Sequence, residues 1–122
     1  MAYSEHQITE LARTNPKELA RILTRPNSDF HMLSFGAETM GAEVKDEEIV
    51  LPAIRQLLKH VNAVVREGAV NGAFSFWTNS QPPRDIVDRL TAISEHDPSP
   101  DLREFAKNVL NDWKIAWQET KA

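Results

Sequence analysis

The chain has no cysteine, so disulfides, thiolate metal sites and a cysteine nucleophile are excluded. It has 4 glycines among 122 residues, and none forms a glycine-rich loop ahead of a helix, which removes the usual phosphate cradle. No apolar run approaches the roughly 20 residues needed to span a bilayer, and MAYSEHQITEL has no basic-then-apolar signal pattern. A cytoplasmic, soluble protein is therefore expected. Excess positive charge is also missing. The net charge is −4, and residues 1–61 and 62–122 each carry 7 basic and 9 acidic side chains. Neither half has the basic footprint of a nucleic-acid binder, so nucleic acid is not an expected partner, and nothing points to a membrane.

What the chain does have is helical periodicity. No stretch alternates with period 2, and about seven apolar stripes of helical spacing follow one another with short connections. Start signals recur. Ser4 with Gln7 forms a capping box, and Asn15-Pro16 with Glu18 sets an N-cap, a proline at N1 and an acid at N3. Asp46 precedes Glu47-Glu48, Asn62 opens the next stripe, and Ser99-Pro100 opens the last. The expected helices begin near residues 5, 16, 30, 46, 63, 84 and 100. Val50, Ile54, Leu57, Leu58 and Val61 make one buried stripe, which Pro52 interrupts. Gly36 and Gly41 lie inside the third stripe, where each costs about 1 kcal/mol of helix propensity. We read them as marks of close approach by another backbone.

Two segments repeat. Val65-Arg66-Glu67-Gly68-Ala69 aligns with Leu102-Arg103-Glu104-Phe105-Ala106 at a separation of 37 residues. In a poorer third copy, Leu33 stands at the Val65 position, Ser34 at the Arg66 position, and Gly36-Ala37 at Gly68-Ala69. At these residues the chain resembles the HEAT-repeat family and the wider armadillo-type helical repeats. That repeat is a helix with an early proline, a turn of the form Asp-x-Asp-x-x-Val-Arg, and a second helix with Ala and Leu inward. Pro52, Arg66, Asp97 and Arg103 match its helix and turn positions. His60 replaces the usual turn aspartate and Ser34 the arginine, so one or two of the stacked Asp–Arg bonds should be missing. Arg66 and Arg103 are expected to brace their turns through carboxylates and free carbonyls.

The resemblance implies an all-α fold: a short right-handed α-solenoid (an α-α superhelix) of about three helix pairs, residues 16–43, 46–77 and 84–119, in a single domain behind an N-terminal capping helix at 1–14. It further implies a non-catalytic scaffold whose second helices line a concave face for a protein or peptide. Asn71, Ser75, Lys107, Asn108 and Lys114 are the candidate contacts, with Trp77 and Trp117 as aromatic anchors. The open end beside Trp117 could also pair two copies into a homodimer. Two alternatives belong to the same architecture: a nucleic-acid-binding protein akin to HEAT-like DNA glycosylases, and an accessory protein of the bilin-lyase kind. One family of HEAT-repeat oxygenases holds two irons through His-Glu pairs. Here only Glu5-His6 and Glu95-His96 occur, in reversed order, and adjacent helical residues point about 100° apart. No metal, cofactor or catalytic set is expected.

Overall fold

The computed structural model describes residues 3–27 and 29–120, with side chains through residue 114. It is all-helical: α1 (Glu5–Thr14), α2 (Pro16–Leu23), α3 (Phe30–Glu43), α4 (Glu47–Leu57), α5 (Ala63–Phe76), α6 (Arg84–His96) and α7 (Pro100–Thr120), with no strand among the described residues. Contacts divide the chain into two compact units, Met1–Phe76 and Trp77–Ala122.

The helix starts follow local chemistry. Ser4 Oγ accepts from the Gln7 N–H at 3.1 Å while the Ser4 N–H donates to Gln7 Oε1 at 2.9 Å, completing the capping box. The side chains of Asn15, Asp29 and Asp46 accept from Glu18, Met32 and Glu48, and so satisfy N–H groups that a helix leaves unpaired in its first turn. Asn62 does the same for Val64 and Val65, and Ser99 for Leu102. α6 differs, because Pro83 precedes it and offers no side-chain bond.

In the first unit, α3 and α5 each bury a broad face, with His31, Glu38 and Glu43 of α3 and Glu67 of α5 left exposed. Leu33, Ala37 and Met40 of α3 and Val65, Ala69, Val70 and Ala73 of α5 are each no more than 1% exposed. α1, α2 and α4 pack around this pair. The glycines set how closely α3 and α5 meet. None of the four has positive φ, so none serves a turn. A Cβ on Gly41 would lie 2.5 Å from Gly72 C and Cα, and one on Gly68 would lie 2.6 Å from Ser34 Cα. One on Gly72 would strike the Ala37 carbonyl. Contacts therefore advance together along both helices, from Ser34–Gly68 to Ala37–Gly72 and Gly41–Gly72, so α3 and α5 run parallel. The expected close approach at Gly41 is met by a backbone. At Gly36 the nearest neighbour is instead the Leu23 side chain.

α2 and α4 also run parallel. Gln56 Nε2, near the end of α4, donates to the Thr24 carbonyl at the end of α2 (2.9 Å), while Lys17 and Asp46 stand at the opposite end of the space between them. Pro52 sits inside α4 and leaves the Glu48 carbonyl without its helical donor.

Val61 departs from expectation. It is 90% exposed, not part of the α4 stripe. α4 ends at Leu57, and the chain then leaves the helical register through bonds from the Lys59 and His60 N–H groups to the Gln56 and Leu57 carbonyls. Helical spacing no longer governs where residue 61 points.

In the second unit α6 and α7 are joined by a three-residue turn, residues 97–99, and pack on each other. Ile86, Leu90 and Ile93 face one way on α6, and Leu102, Ala106, Val109 and Trp113 on α7; all are buried. The spacing of four then three is that of a helix seam.

Two equivalent turns and an open groove

The turns before α5 and α7 are built alike. His60 Nδ1 accepts from the Asn62 N–H at 3.0 Å, and Asp97 Oδ1 accepts from the Ser99 N–H at 2.9 Å. Arg66 Nη1 donates to the carbonyls of His60 (2.8 Å) and Val61 (2.9 Å), while Arg103 Nη1 donates to the Asp97 carbonyl (2.6 Å). Each arginine reaches back six residues along the chain to the same turn position. The sequence places His60 and Asp97 at equivalent positions and expects the histidine to break the pattern. The imidazole instead takes the carboxylate's part as acceptor for the N–H two residues on. It also meets the Phe30 ring edge-on at 5.6 Å, which ties the turn to α3. Ser34, at the third arginine position, is small for a different reason. Its backbone and Oγ lie where any Gly68 side chain would, so α5 passes directly against it.

His60 makes a discriminating test. His60→Ala removes both acceptor and ring and should cost about 1–2 kcal/mol in denaturant unfolding. His60→Asp restores the acceptor and should cost clearly less. Equal losses would show that ring packing alone accounts for the residue.

The expected contact residues fall in different settings. Asn71 and Ser75 are half-buried, one turn apart on α5. Lys107, Asn108 and Lys114 are exposed on α7. Trp77 is 1% exposed, so it is a packing residue and not an available anchor: its large apolar surface is covered by the chain itself. Trp113 is likewise buried, and the side chain of Trp117 lies outside the described residues. Pro52 is exposed on α4, while Asp97 and Arg66 are 6% and 9% exposed. Among the described residues no three His, Asp or Glu side chains come together as a metal set, and no helix is long and apolar enough to cross a membrane.

The structure shows one feature that reading the chain in order misses. An open groove of about 460 Å³ runs between α2 and α4. Lys17, Ala20, Arg21 and Thr24 line one wall, and Asp46, Glu48, Ile49, Pro52 and Ala53 the other. The hydrogen bonds from Arg21 hold the half-buried Glu18 carboxyl below its usual pKa, so this pair persists as pH falls toward the carboxylate range.

These features define an all-α protein of helix pairs carrying a repeated turn. Comparison with known protein families, curated proteins and solved structures gives no match to the chain.

Proposed function

We propose that the chain is a non-catalytic protein-interaction module, built as a short HEAT-like α-solenoid, that binds a protein or peptide partner through its second helices. The observation that carries this reading is the turn built twice, with a side-chain acceptor and an arginine brace at equivalent positions 37 residues apart. The parallel course of α2 with α4 and of α3 with α5 supports it, since stacked repeats bring corresponding helices side by side. Lys107, Asn108 and Lys114 on α7 and Asn71 and Ser75 on α5 are the contacts in this reading, and the partner's facing surface is polar with acidic groups opposite the lysines.

The experiment is cross-linked capture from native lysate with the unaltered chain and with Lys107→Glu/Lys114→Glu. A partner retained by the first, lost by the second and eluted by salt supports the reading, provided both chains melt alike. Equal capture by both would move the site away from α7. A mobility shift of DNA at low salt that the double variant abolishes would replace the protein partner by nucleic acid.

A further inference from the structure

The groove between α2 and α4 lies on the first helices of the two pairs in the first unit, and none of the contact residues proposed on α5 and α7 lines it. We propose that it is a second docking site and that its occupant is an amphipathic helix of a partner protein, with an acidic flank on the α2 side and a basic flank on the α4 side.

The size and shape favour a helix. The groove's 460 Å³ falls within the range of about 300–1,000 Å³ typical of ligand sites, but it is an open channel that cannot enclose a small molecule. Its floor and walls are low because Ala20, Pro52 and Ala53 are small, so the space runs along two parallel helices. α2 and α4, with 8 and 11 residues, give walls of roughly 12–16 Å, or two to three turns of a guest helix. An extended peptide is a poor guest. Its unpaired N–H and C=O groups would face walls whose main-chain groups are almost all engaged within α2 and α4, and no strand edge is present among the described residues to pair with it. A helix arrives with its backbone bonds already made and offers only side chains at i, i+3, i+4 and i+7.

The charges choose the flanks. Lys17 and Arg21 stand one turn apart on α2, and Asp46 and Glu48 stand at the start of α4 across the groove. Arg21 is engaged with Glu18, but among the described residues neither Lys17 nor Glu48 forms an ion pair. Both are exposed. Opposite signs on opposite walls select the orientation of a guest more than its raw affinity. An acid on the guest meets Lys17, and a base meets Glu48. Ile49 and Ala20, half-buried on the two walls, receive the apolar anchors.

The test uses two synthetic peptides of about 14 residues, roughly 21 Å of helix. The first has one leucine stripe with Glu on one flank and Lys on the other. The second peptide has the same leucine stripe with Gln on both flanks. Binding is read by fluorescence anisotropy and mapped by amide chemical shifts in the full chain. The charged peptide should bind about fivefold more tightly than its uncharged twin, with shifts confined to residues 17–24 and 46–53. The double variant Lys17→Gln/Glu48→Gln should remove the preference. Ala20→Leu, which raises the floor, should weaken both peptides without changing the melt. Equal affinity of the two peptides, no binding of either, or shifts elsewhere would overturn the proposal. So would a dimer in light scattering that Lys17→Glu abolishes, because the occupant would then be a second copy. Retained capture through Lys107 and Lys114 would leave the α7 reading standing whatever happens here.

Discussion

Replacing Gly41 by alanine should cost about 2–3 kcal/mol, and on the order of 10 °C in Tm, although alanine is the better helix former. The new Cβ would sit 2.5 Å from the Gly72 C and Cα atoms and closer still to its oxygen. Those are main-chain atoms of α5 and cannot rotate aside. α3 and α5 would have to separate, loosening a core in which Ala37, Met40, Ala69 and Ala73 are fully buried. Propensity returns about 1 kcal/mol, which is too little to offset overpacking of two backbones. Gly72→Ala meets the Ala37 carbonyl and should behave alike. Gly36→Ala is the control, because the atom in its way is the Leu23 Cδ2, the far end of a side chain that can turn. It should stay within about 1 kcal/mol of the unaltered chain. The double variant Gly41→Ala/Gly72→Ala should cost less than the two single losses added, because helices already forced apart admit the second methyl more easily. Denaturant midpoints of the four variants test this. A Gly36→Ala loss as large as that of Gly41→Ala would show that general overpacking, and not backbone contact between α3 and α5, governs the core.

These contrasts show what was legible in the sequence. Helix starts are local: an Asn, Asp or Ser at N-cap finds its N–H two or three residues away, so Ser4, Asn15, Asp46, Asn62 and Ser99 announce their helices without help from the rest of the chain. A glycine within an apolar stripe announces that something comes close. It does not say what, and Gly36 and Gly41, five residues apart, meet a side chain and a backbone respectively. That difference depends on how α3 crosses segments 13 residues before it and 31 residues after it. Val61 differs for the opposite reason. Helical spacing carries the stripe on to residue 61, but α4 ends at Leu57, and hydrophobicity alone does not mark that end. Trp77 shows the ambiguity of a large aromatic at a helix end, which serves a core or a partner equally well until its exposure is known. The groove was illegible in chain order because its walls belong to two helices about 32 residues apart. It is defined by the smallness of Ala20, Pro52 and Ala53, and small residues leave no hydrophobic signal.

Arg66→Ala should be the costliest of the turn substitutions, at about 2–4 kcal/mol. One guanidinium nitrogen donates to both the His60 and Val61 carbonyls, and the residue is only 9% exposed. Truncation removes two charge-assisted bonds and leaves those carbonyls in a partly shielded turn, where water replaces the donor imperfectly. Arg66→Lys keeps the charge but loses the planar guanidinium that meets both oxygens, and should fall between. Arg103→Ala is the matched comparison at the equivalent turn. Arg103 donates to the Asp97 carbonyl and is half-buried, so its loss should be smaller. Hydrogen exchange gives a local readout. In Arg66→Ala the N–H groups of Asn62, Val64 and Val65, held by His60 and Asn62, should exchange faster at denaturant concentrations where α6 and α7 remain protected. The brace also connects stability to recognition. By fixing the Val61 carbonyl it fixes where α5 begins, and Asn71 and Ser75 take their positions from that start. If Arg66→Ala unfolds no more easily than Arg103→Ala, the brace is incidental and the repeated turn loses its energetic meaning. If it is selectively destabilising, the two turns are one device used twice, with His60 serving the first as Asp97 serves the second.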